Sequence, residues 1–171
     1  MPVRNIFKIL ILLIFITINL KCSVYSFKGH NPPEGIETVA VPLFENTSGF
    51  SEANIREEFT ENLKNRIIDD NTFTIADKNV ADGIVKCNIT NVRDEALVIS
   101  GNENVTKRKV TITVTVLFEN LNKQKQVWDR TFENWGEYSS SATTFSNRET
   151  GIKDATEKIC EDILNGMTSN W

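Results

Sequence analysis

From Val110 to Phe118 the chain alternates between two kinds of side chain. Val110, Ile112, Val114, Val116 and Phe118 fall on one face, and Thr111, Thr113 and Thr115 on the other. Side chains on a strand switch faces with period two, so this pattern predicts a half-buried strand. β-Branched residues at nearly every position suit a pleated surface. The apolar face belongs under helices, and the threonine face towards something wetter.

The flanking segments supply the cover. Ile36–Phe44 reads as a first strand with Ile36, Val39, Val41 and Leu43 apolar, and Pro42 puts it near an edge or ends it early. Asn46–Gly49 is turn chemistry. Ser51 then opens a helix to about Ile68 on the stripe Ile55, Phe59, Leu63 and Ile67, and Asp69-Asp70-Asn71 stops it. Thr72–Ala76 is a short strand-like bridge. Ala81-Asp82-Gly83 turns into a strand over Ile84–Val92, with Val85, Cys87 and Ile89 opposite Lys86, Asn88 and Thr90. The apolar patch Ala96–Ile99 either extends that strand or forms a loop edge. Leu121–Gln126 is a hairpin loop, Val127–Trp135 a last strand, and Glu137–Phe145 a Ser/Thr-rich loop. Ser146-Asn147-Arg148-Glu149 fits a capping box. The helix that follows runs to about Met167 on Ile152, Ala155, Ile159 and Ile163, flanked by Cys160 and Leu164. This order predicts an α+β fold, β-α-β-β-β-α, with two helices packed on one face of a small, largely antiparallel four-stranded sheet.

The first residues follow a different pattern. Residues 1–21 read as a lipoprotein-type signal peptide: Arg4 and Lys8 precede the compact apolar run Ile9–Leu20, and Cys22, the residue to be acylated, follows directly. Lys21 stands where such sites carry a small residue, so the site is atypical. Residues 22–35 form a tether stiffened by Pro32-Pro33, and the sole histidine, His30, lies in it. Residues 36–171 are then a single α+β domain, held to a membrane if Cys22 is acylated. Of 19 basic residues three lie in residues 1–21, leaving 16 against 23 acidic ones, a net charge of −7. That balance argues against general nucleic-acid binding, which rests on phosphate neutralisation.

The chemistry of catalysis is missing. The chain has no Gly-rich phosphate loop, nucleophile elbow, HExxH or CxxC. One loop histidine does not support a Ser/His or Cys/His arrangement. The carboxylate pairs Glu57/Glu58 and Asp69/Asp70 read as helix-surface charges. The chain reads as no enzyme, with no cofactor and no metal cluster. Cys87 and Cys160 read as two independent core residues, with pairing in an oxidising envelope as the alternative. Lys107-Arg108-Lys109 is the densest basic cluster of the domain. It is a candidate phosphate contact, for instance for an anionic lipid headgroup; the blander reading is a solvated strand start that discourages edge pairing.

Several stretches in order carry a resemblance: Cys22–Phe27, Pro42–Asn46, Phe59–Leu63, Ala81-Asp82-Gly83 and Lys109–Asn120. Together they resemble the lipopolysaccharide-assembly lipoprotein family, LptE-like, in its Bacteroidetes-type form. The resemblance implies two helices against a small sheet and a role without catalysis. It implies a lipid-anchored protein on the periplasmic side of the outer membrane. There it plugs the lumen of the β-barrel of lipopolysaccharide export, helps that barrel assemble, and assists lipopolysaccharide insertion at the surface. The expected partners are the barrel, lipopolysaccharide and the membrane. A threonine face suits a polar lumen, so Thr111, Thr113 and Thr115 are the expected barrel-facing residues. Lys107, Arg108 and Lys109 are the expected lipopolysaccharide contacts on charge alone. The alternative is an envelope lipoprotein regulating a periplasmic enzyme or secretion machine, since Val39–Asn46 also occurs as a strand-and-turn phrase in other periplasmic α+β domains. A small-molecule-binding domain has no pocket signature behind it.

Overall fold

The computed structural model describes residues 32–51, 54–99, 105–140 and 144–169; the signal segment, Cys22 and His30 lie outside these. The described chain runs β1 (Thr38–Ala40), β2 (Glu45–Asn46), α1 (Ile55–Asp70), β3 (Thr74–Ile75), β4 (Gly83–Ile99), β5 (Val105–Asn120), β6 (Lys125–Ser139) and α2 (Thr144–Thr168). The strands form one sheet in the order β3-β1-β4-β5-β6, and β2 pairs with β4 further along the same edge as β1. β1 is parallel to β3 and β4, β2 is parallel to β4, and β4, β5 and β6 form an antiparallel meander. The sheet is therefore six-stranded and mixed, where the sequence pattern predicts four largely antiparallel strands. Pro42 is one reason. It has no N–H to give β4, so the stretch from Ile36 to Phe44 cannot pair throughout: β1 ends at Ala40, and pairing with β4 resumes only beyond Phe44, at β2. The bridge at Thr74–Ile75 is the sixth strand, brought parallel to β1 by the crossover through α1.

The meander strands are longer than their predicted cores. Ala96–Ile99 extends β4, and β6 runs to Ser139. β4 carries a bulge at Thr90: Ile89 pairs with Val114, while Asn91 pairs with Thr113. One extra residue shifts the side-chain period. Before the bulge Val85, Cys87 and Ile89 face the helices; after it Val92 packs on the core and Arg93 is exposed. α2 begins at Thr144, so Ser146–Glu149 lies inside the helix and not at its start. α1 ends as its Asn pattern suggests, on Asn71 in the left-handed region with its N–H on the Ile67 carbonyl.

Both helices cover one sheet face. α1 buries Ile55, Phe59, Leu63 and Ile67, and α2 buries Ile152, Ala155, Ile159, Cys160, Ile163, Leu164 and Met167. They close on Val110, Ile112, Val114, Val116 and Phe118, all 0% exposed. Each such side chain contributes about 1.5–3 kcal/mol by leaving water. Phe73, Phe118, Trp128 and Phe132 continue the core as successive edge-to-face pairs, with centroids 6.4, 5.8 and 5.9 Å apart. α2 and β6 approach closely at two glycines. A Cβ on Gly136 of β6 would stand 2.1 Å from the Gly151 carbonyl oxygen of α2. Gly151, a poor residue for a helix interior, is there to let strand and helix backbones touch.

Candidate functional site

The other face of the meander has no helix over it among the described residues. The registers put Asn88, Thr115 and Thr131 in one cross-strand row, and Asn91, Thr113 and Glu133 in the next. Arg93, Thr111 and Trp135 follow, then Glu95, Lys109 and Glu137. At about 3.3 Å per residue the central strand gives this face a length of roughly 50 Å. Its polar groups bind one another. Thr113 Oγ1 donates to Glu133 Oε2 at 2.9 Å, and Arg93 reaches the same carboxylate at 3.4 Å. Lys107 lies 3.2 Å from Glu137, Lys109 3.7 Å from Glu95, and Lys86 pairs with Glu119. Such exposed pairs contribute little stability singly, about 0–1 kcal/mol each. Their effect here is to neutralise the face. Of the three threonines, Thr113 and Thr115 are half-exposed, while Thr111 is 5% exposed between Arg93 and Trp135.

The run Lys107-Arg108-Lys109 does not converge. Strand alternation keeps Lys107 and Lys109 on the open face and sends Arg108 to the helix side, in register with Tyr138. There Arg108 Nε donates to Asp94 Oδ1 and Tyr138 Oη, both at 2.9 Å, and the Tyr138 hydroxyl donates to Asp94 Oδ2 at 2.7 Å. The Asp94 and Tyr138 bonds hold the guanidinium firmly charged. Burial, and then donation to Asp94, pushes the Tyr138 phenol up. The cation that shares the open face with Lys107 and Lys109 is Arg93, delivered there by the bulge. Alternation alone cannot find it, because the bulge changes the parity. Trp135, 43% exposed, is a second residue of this face; its odd position in the last strand was the available signal. Lys158 of α2 wraps the sheet edge to it, donating to the Trp135 carbonyl at 2.9 Å with its ammonium 4.9 Å from the indole centroid.

The start of the domain is fastened to this sheet at two points. Asp82 accepts the Thr38 hydroxyl at 2.8 Å, the Thr38 and Glu37 amides at 3.0 and 3.2 Å, and the Asn122 side-chain amide at 2.8 Å. The Thr38 and Asn122 side chains, then the two backbone amides, lower its carboxyl to about 2. The second fastening is Phe44. Its N–H donates to Thr60 Oγ1 at 3.0 Å, and its carbonyl accepts Arg56 Nε at 2.7 Å. Both backbone groups are thus held by α1 side chains. Val41 and Phe44 are buried, while Pro42 and Leu43 stand outward, Leu43 45% exposed. Between them and Leu117 lies a notch of about 220 Å³, lined also by Lys86, Asn88 and Thr115 of the open face.

Nothing in this arrangement is built for covalent chemistry. Cys87 and Cys160 are free and buried. Burial pushes the Cys160 thiol up to about 12 and the Cys87 thiol well above its usual range, which leaves no thiolate nucleophile. Among the described residues no three metal-ligating side chains gather, and no helix is long and apolar enough to cross a membrane.

Residues 36–167 match the family model described as LptE, lipopolysaccharide-assembly. No curated protein matches the sequence. Among solved structures the chain is similar to the hypothetical protein CT253 of Chlamydia trachomatis, at 10% identity and a TM-score of 0.57, over 77% of this chain and 95% of that one. It is similar to the PelC dodecamer protein of Paraburkholderia phytofirmans at 12% identity and TM-score 0.55, over 82% and 95% of the two chains. For rare lipoprotein B of Shewanella oneidensis the values are 15%, 0.52, 76% and 92%. At these identities the likeness is one of fold.

Proposed function

Because the chain belongs to the lipopolysaccharide-assembly (LptE) family, a family without catalytic activity, we propose that it plugs the β-barrel that delivers lipopolysaccharide to the cell surface and helps that barrel assemble. The open sheet face carries this reading. It is long, polar and neutralised by its own ion pairs, with both helices on the opposite side. A barrel lumen is wet and polar, so a surface of threonine, asparagine and paired charges can sit in it without burying an unmatched charge. Thr113 and Thr115 are the central barrel-facing residues. Acylation of Cys22 would hold the domain at the periplasmic side of the outer membrane.

Lipopolysaccharide phosphates would meet Lys107 and Lys109 on the same face, by exchange of their Glu137 and Glu95 partners. Arg108 is committed to Asp94 and Tyr138 and acts in holding the sheet end together. Purification of the tagged full-length chain from membranes in mild detergent tests the main reading. A stoichiometric outer-membrane barrel that resists salt washing is expected. Recovery alone, or with a periplasmic enzyme or secretion component, overturns it. Replacement of both lysines by glutamine should weaken lipopolysaccharide binding while changing stability by no more than the loss of two exposed ion pairs, about 0–1 kcal/mol each; unaltered binding removes the lysines from the site.

A further inference from the structure

We propose that the notch between Pro42-Leu43 and Leu117 seats one uncharged, apolar side chain of the barrel that covers the open face; this rests on the plug reading above. Three features of the notch support it. The first is its origin. Phe44 gives its N–H and carbonyl to Thr60 and Arg56 of α1, and Pro42 has no N–H, so the linker between β1 and β2 stands off the β4 edge. Backbone geometry thus holds the notch open in advance, so binding does not have to form it.

Size and charge define the occupant. About 220 Å³ accommodates one leucine or phenylalanine side chain and falls below the 300–1,000 Å³ of ordinary small-ligand sites. On the rim Lys86 is paired with Glu119, and Asn88 donates to Thr47 at 3.0 Å. Glu45 on the rim and Asp129, in register with Leu117, are further charges beside the notch, both acidic, so an acidic neighbour on the partner is disfavoured. Leu43 and Leu117 offer apolar surface within a polar surround, the layout in which a single inserted side chain dominates an interface. The other large apolar group of this face, Trp135, lies about 20 Å away along β5, counted over the six residues between Thr111 and Leu117, and is occupied by Lys158.

The test uses full-length tagged protein recovered from membranes, with the barrel quantified. Leu43→Asp should lower barrel recovery about tenfold or more. Ile68→Asp, at an exposed apolar position on α1 (57% exposed), should leave recovery unchanged. Thr113→Arg probes the open face outside the notch. Loss with Thr113→Arg but not with Leu43→Asp overturns the notch and leaves the plug reading standing. Loss with neither overturns both. Equal loss with Leu43→Asp and Ile68→Asp overturns the notch in favour of a general need for apolar surface. Leu43→Ser replaces Leu43→Asp if the latter melts below the wild type. Wild-type protein carrying an acyl lipid that Leu43→Asp loses, with barrel recovery intact, also overturns the proposal and makes the notch a lipid seat.

Discussion

Gly136→Ala should be among the most damaging single-methyl changes in the domain. The added Cβ would lie 2.1 Å from the Gly151 carbonyl oxygen and 2.9 Å from Asp154 Cβ, where ordinary contact begins at 3.4 Å. Strand and helix must separate by about 1.3 Å at that point. Neither obstacle is the end of a flexible side chain; one is helix backbone. α2 cannot retreat without loosening Ile152 and Ala155, which are 2% and 0% exposed. Overpacking of this kind costs about 1–3 kcal/mol and occasionally more. For a domain of this size each kcal/mol lowers Tm by about 2–4 °C. Gly151→Ala is the matched control. Its Cβ would meet Tyr138 Cδ1 at 3.1 Å and the Gly136 oxygen at 3.3 Å, tight contacts that need a shift of a few tenths of an ångström. Alanine meanwhile regains about 1 kcal/mol of helix propensity. Calorimetry should therefore show a clear drop for Gly136→Ala and little change for Gly151→Ala. Equal Tm values for Gly136→Ala and the wild type would refute the close approach.

Thr60→Val keeps volume but strands the buried Phe44 N–H, at a cost of about 1–3 kcal/mol in urea unfolding. Thr60→Ser keeps the hydroxyl and should lose only about 1 kcal/mol for a buried methyl, so a valine variant more stable than the serine one would contradict the assignment. Asp82 predicts a pH dependence. Its folded-state value of about 2 lies below the ordinary 3.8, so its contribution is complete above about pH 4 and is lost as pH falls through about 2. Asp82→Asn should flatten stability against pH over that interval; parallel profiles for the two proteins would rule the linkage out.

The buried faces were legible because burial obeys a period. Ile55, Phe59, Leu63 and Ile67 step along α1, and Ile152, Ala155, Ile159 and Ile163 along α2, where the pattern puts them. The alternation of Val110–Phe118 likewise survives as the core face of β5. What was not legible depends on partners distant in sequence. Asn46 reads as the start of a turn and, with Glu45, becomes a strand because Asn88 and Ile89 lie beside them. Thr90 gives no local sign of being a bulge, yet it decides which face receives Arg93. Ser146–Glu149 satisfies the pattern of a capping box, but the helix already exists at Thr144. Lys107-Arg108-Lys109 is a cluster in sequence only, because adjacent residues of a strand point apart.

The parallel pairing of β1 has a consequence in time. Thr38 and Asp82, which fasten β1 to β4, are 44 residues apart. A chain made from its N-terminus presents β1 well before the strand it needs. The meander β4–β5–β6, by contrast, is contiguous and joins neighbouring strands, so it can close without waiting for a distant segment. The meander can therefore form without β1 and the Pro42-Leu43 linker, whereas they need β4 to be in place. The first-made part of the domain thus takes its final shape only once a strand 44 residues further along is in place.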